Sequence, residues 1–134
     1  MNAAPDAAAH SIRVLVADDD RSYLSSLREL IDRQPELEVV ATAVDGIQAI
    51  ELAEQLDPEA VVLDLHMPLL DGVSAAARLR RDHPSICLIA LTGDDAPALH
   101  QAVLEAGADE VLLKTEILDA LVERLTGVRA ASEA

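Results

Sequence analysis

The sequence predicts an α/β domain, a parallel sheet doubly wound with helices on both faces, and three observations carry that prediction. Five short apolar runs alternate with five stretches of helical periodicity along 134 residues. The runs at 60–65 and 86–91 are almost continuously apolar, the pattern of strands covered on both faces. Turn and breaker residues (Asp-Gly, Asp-Pro, Met-Pro, His-Pro) punctuate the units. A chain of this length is one domain with a core of its own.

The first strand is read at IRVLVA, residues 12–17, followed by a helix with its apolar stripe at Tyr23, Leu24, Leu27, Leu30 and Ile31, ending before Pro35. LEVVATAV, residues 37–44, is the second strand. Asp45-Gly46 then opens a helix through Ile47, Ile50, Ala53 and Leu56, closed by Asp57-Pro58. AVVLDL, residues 60–65, is the third strand; a turn at Asp71-Gly72 precedes a helix carrying Val73, Ala76 and Leu79 to the break at Asp82-His83-Pro84. ICLIAL, residues 86–91, is the fourth, and TGDDAP leads into a helix with Leu99, Ala102, Val103 and Ala106, stopped by Gly107 as a C′ residue. EVLL, residues 110–113, is the fifth strand. Lys114 and a last helix with Ile117, Leu118, Leu121, Val122 and Leu125 follow it.

Composition narrows the function. Hydrophobic residues make up 51% of the chain and are spread through it, and no apolar run approaches the ~20 residues of a membrane span. The start MNAAPDAAAH lacks the charged and apolar regions of a signal peptide, so residues 1–11 are read as a flexible tail and the protein as cytoplasmic. The net charge is −15, from 25 acidic and 10 basic residues, and a surface of that sign repels a phosphate backbone, which argues against direct nucleic-acid binding. The lone Cys87 reads as a small buried hydrophobe. His10, His66, His83 and His100 have no metal-ligand spacing. Lys114 is the only lysine.

In a doubly wound sheet, functional groups collect at the carboxyl ends of the strands. The first strand ends in Asp18, Asp19 and Asp20, the third in Asp64, the fourth in Thr92 and the fifth in Lys114. Asp20, before RSYLSSL, reads as a helix N-cap. Asp64 by itself can equally be a turn residue, and Thr92 a turn or cap residue. Two further carboxylates beside Asp20 are harder to explain, since unit charges about 4 Å apart cost roughly 4 kcal/mol at an effective dielectric near 20. A hard divalent cation held by Asp18, Asp19 and Asp64 answers that repulsion, and Mg²⁺ suits an oxygen-rich site that also takes a phosphate. The Thr92 hydroxyl and Lys114 ammonium are then placed to spread the charge of a phosphoryl group. No phosphate-binding glycine loop points to a nucleotide. A carboxylate can itself be the nucleophile, and Asp64 stands alone on the central strand.

VLVADDD, VVLDLHMPLLDG, LIALTG and GADEVLLK together resemble the receiver domains of two-component response regulators, over residues 12–126. DLHMPLLDG is the most specific piece, and LEVVATAVDGIQAIELA and LLKT are similar to receivers that usually precede a helix-turn-helix output domain. The resemblance implies a flavodoxin-like (βα)5 sandwich with a five-stranded parallel sheet of order 2-1-3-4-5, flanked by tails at 1–11 and 127–134. It implies that Asp64 is the phosphoacceptor, taking a phosphoryl group from the phosphohistidine of a sensor histidine kinase or phosphotransfer protein. Asp19 would bind Mg²⁺ directly, Asp18 mainly through water, and His66 through its backbone carbonyl, while Thr92 and Lys114 would bind phosphoryl oxygens. His66 and Asp94 correspond to positions that tune dephosphorylation. The expected output is a switched surface for a downstream protein effector or an output domain; apolar faces on the first and last helices could serve a homodimer on phosphorylation.

Two departures from the family pattern bear on the switch. Val111 stands where an aromatic switch residue is usual, in a chain with no Phe or Trp, and Thr115 replaces the proline that commonly follows the lysine. A cis bond before a non-proline residue costs about 2.5–4 kcal/mol, so a trans Lys114-Thr115 bond is expected. Two other readings compete: an aspartyl-nucleophile phosphatase, although His66 stands where its second aspartate belongs, and a receiver-like scaffold that does not switch.

Overall fold

A computed structural model describes residues 11–93, 95–115 and 120–127. Its strands are β1 (Ile12–Ala17), β2 (Leu37–Ala43), β3 (Ala60–Asp64), β4 (Cys87–Thr92) and β5 (Glu110–Leu113). They form one sheet in the order β2-β1-β3-β4-β5, with each neighbouring pair parallel. The helices are α1 (Arg21–Asp32), α2 (Gly46–Leu56), α3 (Gly72–Asp82) and α4 (Pro97–Ala106), with residues 120–127 helical as α5. The expected flavodoxin-like order is thus observed. Residues 1–10, Asp94, Ile117, Leu118 and the end of the chain from 128, on which further expectations fell, lie outside the described residues.

Strand alternation divides the core between the two sheet faces. Leu15, Ala17, Val61, Leu63, Leu88 and Ala90 join Ala49, Ile50 and Ala53 of α2, Ala75, Ala76 and Leu79 of α3, and Val103 of α4. Val14, Val16, Val62, Ile89 and Leu91 face the other way, against Leu24, Leu27 and Ile31 of α1 and Leu121 and Leu125 of α5. β3 lies under both layers and is buried along its whole length, which explains its nearly unbroken apolar run.

Local chemistry fixes where the helices begin and end. Asp20, Asp45 and Asp71 each hold an extended backbone and accept amide hydrogen bonds from the first turn of α1, α2 and α3. The Asp-Gly pairs are therefore a cap followed by a point of close approach: a Cβ on Gly72 would lie 2.5 Å from the Cα of Leu65. Gly107 closes α4 at φ +128, a conformation that favours glycine. β1 and β5 keep their expected bounds, while boundaries of β2, β3 and β4 move by one residue. Asp64 and Thr92 become the last residues of β3 and β4, paired with Leu91 and Leu113.

Candidate functional site

The parallel register builds the site. β1 pairs with β3 up to Ala17 opposite Leu63, so the next residues, Asp18 and Asp64, emerge side by side. The three aspartates after β1 separate into different environments. Asp18 is fully buried, and its Oδ1 accepts the Asp20 amide at 2.9 Å. Asp20 turns outward to accept the Ser22 and Tyr23 amides at 3.0 and 3.1 Å. Asp19 is exposed, yet one oxygen each from Asp18, Asp19 and Asp64 lies within 4.8 Å of the others.

Lys114 reaches this cluster from the far edge. Its amide donates to the Thr92 carbonyl at 2.8 Å, and its ammonium lies 2.7 Å from Asp18 Oδ2 and 3.5 Å from Asp64 Oδ2. The His66 amide donates to Asp64 Oδ1 at 3.3 Å, and its ring Nε2 lies 3.4 Å from the Thr92 hydroxyl. Asp18, Asp19, Asp64, His66, Thr92 and Lys114 thus converge on one rim. The Lys114-Thr115 bond is trans, since no described peptide bond is cis. Val111 lies opposite Ala90 and packs on the first core cluster.

Sequence reasoning placed Tyr23 in the core stripe of α1 and missed its part in the site. The Lys114 ammonium sits 4.7 Å from the centre of its ring, and the Tyr23 hydroxyl donates to the Lys114 carbonyl at 3.4 Å. The available signal was that Tyr23 is the only aromatic residue and follows the aspartates by one helical turn.

Burial, and then the neighbouring Asp18 charge, raise the Asp64 pKa above the usual carboxylate value; Lys114 and the His66 amide offset this in part. For Lys114, burial is the largest single influence and lowers its pKa, but the two carboxylates together outweigh it and the net shift is upward. Tyr23 is pushed up to about 12, by burial first and then by Asp18 and Asp64. Burial likewise lifts the Cys87 thiol to about 11, consistent with an unreactive packing residue.

The donor set fits a hard divalent cation: three carboxylates converge, and the buried Oδ2 of Asp18 has no aligned hydrogen bond, only the ion pair with Lys114. A cavity of about 440 Å³ lies elsewhere, lined by Asp57, Glu59 and His83 around the amino ends of β3 and β4. No described helix is long and apolar enough to cross a membrane.

Residues 14–126 match the family model for the response regulator receiver domain. The transcriptional regulatory protein PrrA of Mycobacterium tuberculosis is 42% identical over 120 residues, covering 90% of this chain and 51% of that protein. The chain spans about half or less of the length of the first curated relatives it matches. The receiver domain of the response regulator NarL from M. tuberculosis superimposes with a TM-score of 0.80 at 30% identity, covering 88% of this chain and 98% of that one. The isolated receiver domain of RcsB from Salmonella enterica gives 0.82 at 27% identity, with 90% of each chain covered. The fold, the convergent rim and these likenesses agree: the chain belongs to the response regulator receiver domain family of two-component signalling.

Proposed function

We propose that Asp64 accepts a phosphoryl group from a phosphohistidine and that the resulting acyl phosphate switches a protein-interaction surface. The observation that carries this reading is the Asp64 carboxylate, buried at a strand end, disfavoured as an anion, and 3.5 Å from the only lysine. Its oxygen attacks phosphorus as the bond from phosphorus to the imidazole nitrogen breaks, and the leaving imidazole takes up a proton. Water later cleaves the new phosphorus–oxygen bond, regenerating the carboxylate and releasing inorganic phosphate. Lys114 and Thr92 bind the phosphoryl oxygens, and His66 and Asp94 tune the rate of dephosphorylation. Asp18, Asp19, Asp64 and the His66 carbonyl would hold Mg²⁺, whose chemistry is neutralisation of the phosphoryl oxygens' charge.

The phosphoryl group adds about −1.5 to −2 charges. A complete two-state switch needs about 5.5 kcal/mol of differential stabilisation. Rearrangement of Thr92 and the last two strand-helix units, with aliphatic Val111 in place of an aromatic, would carry that change to the surface. The RcsB receiver structure was obtained in the presence of the phosphomimetic BeF3⁻, and PrrA is a transcriptional regulator. A sensor histidine kinase or phosphotransfer protein as donor, and a protein effector, an output domain or a second copy as target, follow for a cytoplasmic receiver unit of residues 12–126.

Acetyl phosphate with Mg²⁺ is expected to label the protein with one phosphoryl group and to leave Asp64→Asn unlabelled. A folded wild-type protein that takes up no label overturns the reading. Turnover of phosphomonoesters far beyond one equivalent identifies a phosphatase instead.

A further inference from the structure

Lys114 lies at the end of the edge strand β5, with a side chain still 21% exposed and an exposed Thr115 after it. A flexible four-carbon stem in that position has many alternatives to pointing inward. Two hydrogen bonds restrict its backbone: its amide donates to the Thr92 carbonyl, and its carbonyl accepts from the Tyr23 hydroxyl. The ammonium is held on one side by carboxylates and on another by the Tyr23 ring, within the ~6 Å range of a cation–π contact.

The carboxylate contacts cannot persist unchanged through the reaction. Phosphorylation converts the Asp64 oxygen that Lys114 approaches into part of an acyl phosphate, and a cation drawn to Asp18 competes with the ammonium for Oδ2. The ring offers attraction that neither event removes. We propose that Tyr23 is a positioning residue for Lys114: its ring face retains the ammonium at the rim while the ammonium exchanges Asp18 for the phosphoryl oxygens. This rests on Asp64 as phosphoryl acceptor. The phenol, with its pKa at about 12, stays neutral at ordinary pH and keeps its proton for the Lys114 carbonyl.

The composition supplies a clean test, because the chain has one lysine and one tyrosine. With ¹³C-labelled lysine, the single Lys114 Cε/Hε signal of the wild type should show an upfield ring-current shift. That shift should persist in Tyr23→Phe and vanish in Tyr23→Leu. Labelling by acetyl phosphate at saturating Mg²⁺ should slow by about threefold to tenfold in Tyr23→Leu and stay within about twofold of wild type in Tyr23→Phe. Circular dichroism verifies that both variants are folded, and the wild-type lysine signal tests the ring contact without any variant. An unshifted wild-type signal overturns the proposal, as does a wild-type labelling rate in Tyr23→Leu or equal slowing in both variants. Failure of the Asp64 reading looks different: the wild type takes no label, whatever its lysine signal.

Discussion

The Lys114 ammonium lies 2.7 Å from Oδ2 of Asp18, joining the end of β5 to the end of β1 across the width of the site. Asp18 is completely buried, so this pair is partly withdrawn from solvent and is not an ordinary surface ion pair.

Replacing Lys114 by Ala leaves Asp18 and Asp64 facing each other without a cation. In the presence of a chelator, urea unfolding should show a loss of about 2 kcal/mol, less than the full cost of breaking a buried pair because the lysine is partly exposed. The raised Lys114 pKa gives the same contact a pH signature. Its contribution is fully present below the unfolded value of about 10.4 and is lost as pH rises through the higher folded value. A wild type and Lys114→Ala that lose stability in parallel across that range would contradict this.

Asp64 has the opposite effect on stability. Its pKa is raised by burial and Asp18, so the folded state binds its proton more tightly than the unfolded chain does. Stability therefore falls as pH climbs from the ordinary carboxylate range through the raised value. Asp64→Asn removes that penalty. Its unfolding midpoint should exceed that of the wild type by a few degrees at neutral pH, and the gap should narrow on acidification. An Asp64→Asn protein less stable than wild type at neutral pH would refute the assigned electrostatics.

The convergent carboxylates predict stabilisation by Mg²⁺. An ion bound only to the folded state adds about 1.4 kcal/mol at ten times its dissociation constant. Thermal unfolding with and without excess magnesium chloride should show this gain in the wild type. Most of it should be lost in Asp19→Ala, although Asp19 is exposed and its removal should hardly change stability without the metal. Equal gains in both proteins would place the ion elsewhere.

Asp20 should behave differently from its two neighbours. Asp20→Ala removes the acceptor for the Ser22 and Tyr23 amides and is expected to cost about 1 kcal/mol in chemical denaturation. Magnesium stabilisation and the acetyl phosphate labelling rate should stay close to wild type. Loss of metal binding in this variant would mean that the cap also holds the Asp18 carboxylate in place, through the amide that donates to its Oδ1.

Strands, helices and the Asp20 cap were legible in the sequence because each depends on residues close together in the chain, and the carboxyl-end rim followed from the rule for doubly wound sheets. Apolar periodicity registers burial one element at a time, and a cap acts on amides two or three positions away. The family pattern supplied the sheet order. The resemblance gave Asp18 and Asp19 different expected parts in metal binding, but their difference in burial was not legible, because it depends on strands distant in sequence. Tertiary structure makes Asp18 the buried partner of Lys114 and leaves Asp19 facing solvent. Tyr23 packs on the second core cluster, as its place in the helical stripe predicts, and tertiary structure also makes it a wall of the site, since helix periodicity identifies the inward face but not which end of the sheet lies beneath it. Parallel strands bring residues distant in sequence to one rim, and the side-chain contacts made there follow from packing across the whole sheet.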